Sequence, residues 1–131
     1  MPDEGKPRRT LPCLPESLAI CRLPPGAPLP VWAQGGGFHS VTRTEQELSI
    51  VCPEGMVPAG VPVERQWRAL RLEGPIPFDE TGVLSGLVSP LAAAGIPVFA
   101  VSTYDTDYLL LKKRDLSRAA KCLSGGYTLR L

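Results

Sequence analysis

Between Asp79 and Lys113 the chain reads DETGVLSGLVSPLAAAGIPVFAVSTYDTDYLLLKK, and this stretch constrains the fold more than any other. Val83, Leu84, Leu87, Val88 and Leu91 recur at helical spacing, which predicts an amphipathic helix over 79–94. Asp79 is placed to cap its start, and Gly95 to end it in the left-handed conformation that glycine adopts without strain. Pro90 falls inside this helix and removes one backbone hydrogen bond. Two apolar runs follow, IPVFAVS and DYLLLKK, dense in β-branched and aromatic residues; they predict two buried strands joined by STYDTD. A strand in WRALRLEG precedes the helix. A second helix follows the strands, with Asp115 as its cap, Leu116, Ala119, Ala120 and Leu123 along one face, and Gly125-Gly126 as its stop. With YTLRL as a last strand, residues 67–131 run β-α-β-β-α-β, an order whose sheet carries both helices on one face.

Proline dominates what comes before. LAICRL at 18–23 alternates like a strand and stops at Pro24-Pro25, and PGAPLPVWAQGGG allows about one helical turn around Trp32. FHSVTRTEQELSIVCPEG carries two strand-like runs around RTEQE, a hairpin, and MVPAGVPVERQ is again interrupted by proline. Displaced by sixty positions, VTRTEQELSIV lies over VSTYDTDYLLL, with Glu45 on Asp105 and Glu47 on Asp107. The expected organisation is a loose arm over 1–15, a strand-rich lobe over 16–66 whose helices have worn down to proline-rich loops, and a complete unit over 67–131.

Composition removes several function classes. In 131 residues, 14 basic against 13 acidic side chains give no global attraction for nucleic acid or an anionic membrane, and KPRR near the start is too short to supply it. Cys13, Cys21, Cys52 and Cys122 are too scattered for a zinc site and read as reduced core thiols; no cofactor is expected. No apolar run approaches the roughly 20 residues that span a bilayer, and the first residues lack the apolar core of a signal peptide, so the expected compartment is the cytoplasm. His39 is the sole histidine and lies outside any nucleophile motif; it reads as a partly buried, hydrogen-bonded side chain. AQGGGF lacks the lysine and the following helix of a phosphate-binding loop.

The pieces LEGP, TGVLSGLVSPLAAAGIPVFA and STYDTDYLL closely resemble the small bacterial ACT-domain proteins and the ACT modules of CASTOR-type arginine sensors and aspartate kinases. The likeness extends more weakly through SVTRTEQELSIVCPE. It implies an α+β, ferredoxin-like ACT unit preceded by a degenerate ACT-like lobe, binding a free amino acid at an interface between ACT units as a regulatory signal.

The residues offer matching chemistry. A helix starting at ETGVL leaves the backbone N–H groups of Gly82, Val83 and Leu84 without intrahelical acceptors, where an α-carboxylate fits. Asp105, in the turn at the end of the neighbouring strand, could hold the ammonium or a cationic side chain. Asp105 and Asp107 also suggest an acid–base pair, but a turn need not put them on one face, and no third polar partner is evident; the expectation is a protein that is not an enzyme. Chemistry alone leaves a plain helix start and a plain hairpin equally open. The resemblance implies a site at Glu80, Thr81, Gly82, Val83 and Leu84 and at Ser102, Thr103, Tyr104, Asp105 and Thr106. The expected partners are an amino-acid ligand and a second copy of the chain, with no nucleic acid and no membrane. The alternative is a protein or nucleic-acid interaction module without a small-molecule ligand; its RNA-binding form needs exposed aromatic and basic residues on the central strands, which offer only Phe99 and Tyr108.

Overall fold

A computed structural model describes residues 9–73 and 82–131. The chain divides into two units, 16–67 and 1–15 with 68–131. Among the described residues no helix is long and apolar enough to cross a membrane.

The 16–67 unit holds β2 (Leu18–Leu23), β3 (Ser40–Arg43), β4 (Leu48–Pro53) and the first half of β5 (Val63–Arg71); β1 (Arg9–Pro12) belongs to the other unit. They lie in the order β3-β4-β2-β5, all neighbours antiparallel. This is the ferredoxin-like strand order with single 3-10 turns, Val31–Gln34 and Glu54–Met56, where helices would run. The prolines explain the substitution: each lacks the N–H a longer helix needs. Ala19, Cys21, Leu48, Ile50 and Cys52 form the core of this unit, covered by Ala33 from the first turn and Val57 beyond the second.

In the sequence β5 reads as starting at Trp67, yet it begins at Val63. The reason is a bulge. Against β2 the register slips between Trp67 and Glu64, and Gln66 takes φ 68°, a conformation that costs a side-chain-bearing residue energy. The Glu54 carboxylate holds it, accepting the Gln66 backbone N–H at 2.8 Å.

The second unit runs from the end of β5 through α1 (Val83–Ala93), β6 (Val98–Ser102), β7 (Asp107–Lys112), α2 (Leu116–Leu123) and β8 (Tyr127–Arg130). Here β7 lies between β5 and β6. Leu87 and Leu91 of α1 and Leu116, Ala119 and Leu123 of α2 share one core with Leu70, Leu109 and Leu111 of the strands and with Leu72 just past β5. The α1 terminus follows the sequence reading closely: Gly95 has φ 73°, its N–H reaches the Ala92 carbonyl at 3.0 Å, and the Ile96 N–H reaches Leu91 at 2.9 Å. The start differs. The helix begins at Val83 with Gly82 as its cap, and Asp79 lies outside the described residues. Asp115 precedes α2 without a side-chain capping bond and pairs with Arg118 at 3.2 Å instead.

Two expectations are corrected. Arg9–Pro12, read as part of a loose arm, is strand β1, parallel to β8 and tied to β5 through the Cys13–Leu70 bridge. Leu11 is 1% exposed within the core. Only long-range pairing reveals this strand, because RTLP is too short and proline-terminated to announce itself. Also, β6 is not buried: it lies at the edge, with Ala100 and Ser102 exposed.

Candidate functional site

The β6–β7 hairpin turns on Thr103 to Thr106. The Thr103 N–H donates to the Thr106 carbonyl at 2.8 Å, and the Thr103 hydroxyl accepts the Thr106 N–H at 3.3 Å. Thr106 is buried and donates its hydroxyl to the Leu72 carbonyl at 2.7 Å, while the Leu72 N–H donates to Asp107 at 3.0 Å. The turn is therefore pinned to the end of β5, the strand that feeds α1. Ser102 donates its hydroxyl to the Asp107 carboxylate.

These bonds sort the residues singled out in the sequence. Ser102, Thr103 and Thr106 spend their hydroxyls on the hairpin. Tyr104 is 80% exposed, and Asp105 is exposed at the tip. Asp107 is engaged by Ser102 rather than facing Asp105 as an acid–base partner.

The other segment is less completely defined. Glu80 and Thr81 lie outside the described residues. Gly82 takes φ 79° with open space where a Cβ would be, and Val83 and Leu84, both half-buried, follow in the first turn of α1. Gly82 has no side chain to cap that turn, and among the described residues no side chain does so; a helix start presents N–H groups without intrahelical acceptors. The Ser85 hydroxyl donates to the Gly82 carbonyl at 3.2 Å.

The hairpin of the first unit shows what sequence reasoning missed. There the Thr44 N–H donates to Glu47 at 2.9 Å and the Thr44 hydroxyl accepts the Glu47 N–H at 3.2 Å, the same bonds that Thr103 and Thr106 make. Thr44 matches Thr103, and Leu48–Pro53 matches Asp107–Lys112, so the repeat displacement is 59 rather than 60. Glu45 then falls on Tyr104 and Gln46 on Asp105. Each turn carries one acid at its tip but at different positions, Glu45 second in the first turn and Asp105 third in the second. A threonine opening each turn was the signal that would have set the register.

No group of three or more His, Cys, Asp or Glu side chains is placed to hold a metal among the described residues. The His39 Nδ1–H donates to the Gly37 carbonyl at 3.0 Å. All four cysteines are free; burial pushes the Cys21 thiol up to about 12, with the neighbouring Cys52 adding to the effect, and burial also raises Cys13 and Cys52. None of these three is poised as a thiolate nucleophile.

Comparisons with known proteins agree with this architecture. A family model described as an ACT domain matches residues 63–125, and a second, described as an N-terminal domain, matches residues 16–60. The crystal structure of protein Atu0741 from Agobacterium tumefaciens is 44% identical with a TM-score of 0.90, covering 96% of this chain and 95% of that one. Human putative protein CASTOR3P is 30% identical over 105 residues, 70% of this chain, and the human cytosolic arginine sensor for mTORC1 subunit 1 is 34% identical over 58 residues, 44% of this chain. The chain spans 64% and 18% of the lengths of these two relatives. A structure of aspartokinase alpha and beta subunits shares the fold at 14% identity, with a TM-score of 0.64 and coverage of 91% of this chain and 97% of that one. The β-α-β-β-α-β order running from β5 to β8, the strand-rich counterpart before it and these matches together identify residues 63–125 of this chain as an ACT domain.

Proposed function

We propose that this protein is a small, non-catalytic regulatory module that binds a free amino acid at the Gly82 helix start and the Ser102–Thr106 turn of its second unit. The observation that carries the proposal is the turn: the Thr103 and Thr106 hydroxyls fix its backbone, Ser102 occupies the Asp107 carboxylate, and the one carboxylate at its tip, Asp105, is left exposed with no bond to any described residue. An anchored loop presenting an unspent charge is the arrangement binding sites favour. Asp105 takes the ammonium or a cationic side chain, and the N–H groups of Gly82, Val83 and Leu84 take the α-carboxylate. Glu80 and Thr81, outside the described residues, are included in the proposed site because they precede Gly82 in the sequence, and Tyr104 supplies an apolar face. Similarity to a protein named as an arginine sensor supports an amino acid as the ligand class. Reduced thiols fit a cytoplasmic setting.

A thermal-shift screen of the twenty amino acids tests this directly, since a ligand bound only by the folded state raises the melting temperature. At least one should do so, and Asp105→Asn should weaken its binding by about 1.5–3 kcal/mol without changing the fold. For the helix start, Gly82→Asn is the suitable change, because φ 79° makes any β-branched substitution a folding defect as well. Flat melting curves with all twenty would replace this reading with a pure interaction module.

A further inference from the structure

We infer that the outer face of α2 is a docking surface for a short acidic protein segment. Five of the 14 basic residues, Lys112, Lys113, Arg114, Arg118 and Lys121, fall within ten positions that contain one acid, Asp115; the rest of the chain has nine basic and twelve acidic residues. A molecule of net charge +1 thus carries its positive charge in one place.

The structure turns that run into a surface. Leu116, Ala119 and Leu123 are buried in the core, and Asp115 is 7% exposed. Arg118 and Lys121 of α2 lie on the opposite side, exposed with Ser117 beside them, and Lys113 and Arg114, also exposed, sit in the 3-10 turn Lys113–Asp115 that leads into the helix. Asp115 engages Arg118 alone, at 3.2 Å, which leaves Lys113, Arg114 and Lys121 with no acidic partner among the described residues.

Shape and chemistry select the occupant. A helix of eight residues is about 12 Å long and convex, so its cations cannot converge on one small anion. They match an extended chain with a carboxylate every residue or two, about four residues over that length. A lipid surface would need apolar side chains on the same face, and α2 turns all of its leucines inward. Nucleic acid would need more charge or stacking aromatics among the cations.

The test is fluorescence anisotropy of the full chain with fluorescein-labelled hexaglutamate, at about 10 mM salt, where charges act over about 30 Å, and at about 150 mM, where they act over about 8 Å. We expect saturable binding at low salt that weakens at high salt. Arg114→Ala with Lys121→Ala should weaken it about fivefold or more, whereas Arg22→Ala with Arg43→Ala, the same charge loss elsewhere, should change it less than about twofold. Arg118 is left in place because Asp115 depends on it. Ser117→Glu removes no contact and inserts a negative charge among the cations, so it should also weaken binding even if the alanine pair folds poorly. Arg114→Lys with Lys121→Arg should bind as the parent does. Equal losses from both alanine pairs, no saturation, or tighter binding of oligothymidylate or of phosphatidylserine vesicles than of hexaglutamate would overturn the inference.

Discussion

Cys21 and Cys52 show how neighbours decide what a residue can do. On the antiparallel pair β2–β4, Cys21 faces Ile50 and Ala19 faces Cys52, so the two thiols are diagonal neighbours in one core. Both stay protonated because burial disfavours the thiolate. A folded-state value raised above 9.0 means the unfolded chain ionises first. The stabilisation is therefore complete below pH 9 and is lost as pH rises towards about 12. Melting temperature should hold steady between neutrality and about pH 8.5 and fall above it, and replacing both cysteines with alanine should make that fall shallower. A thiol reagent at neutral pH should leave Cys21 and Cys52 unmodified until denaturant is added; prompt labelling of either would mean that the first-unit core opens readily.

Among the elements, β1 departs most from expectation. It contributes a fully buried leucine, and Cys13 N–H reaches the Arg130 carbonyl at 2.8 Å while Arg68 grips the Leu14 carbonyl with two donors at 2.8 and 3.0 Å. Leu11→Ala should cost about 2–5 kcal/mol in urea denaturation, comparable with Leu87→Ala in α1, since both side chains lie in one core. A loss under about 1 kcal/mol would mean the strand frays from its neighbours. What was legible and what was not follows the range of the signals. The end of α1, the hairpins and β2 are written in residues adjacent to one another, such as Gly95 after Leu91, or Thr44 before Glu47. The β1–β8 pairing joins residues more than a hundred positions apart, and the bulge at Gln66 depends on Glu54, so neither has a local signature. In the site, Asp105 was readable as a turn carboxylate, whereas the structural duties of Ser102 and Thr106 require knowing that Asp107 and Leu72 lie beside them.

For the whole molecule, the free edge of β6 bears on whether the chain acts alone. Natural edge strands are blunted by charge, proline or bulges, and VFAVS has none of these within it. The hairpin bonds give the ladder's phase: Thr103 and Thr106 form a hydrogen-bonded pair, so in alternation Val101–Tyr108 and Phe99–Leu110 do as well. The intervening residue, Ala100, then directs its N–H and carbonyl away from β7, toward the open edge. A second copy can add its own β6 there in a symmetric antiparallel pair. Light scattering should give about twice the 14.1 kDa chain mass. Ala100→Pro removes the outward donor without touching the β6–β7 ladder, the one kind of strand position where proline is tolerated. It should yield a folded monomer. A parent chain that stays monomeric at every concentration, or an Ala100→Pro variant that still dimerises, would exclude pairing through this edge.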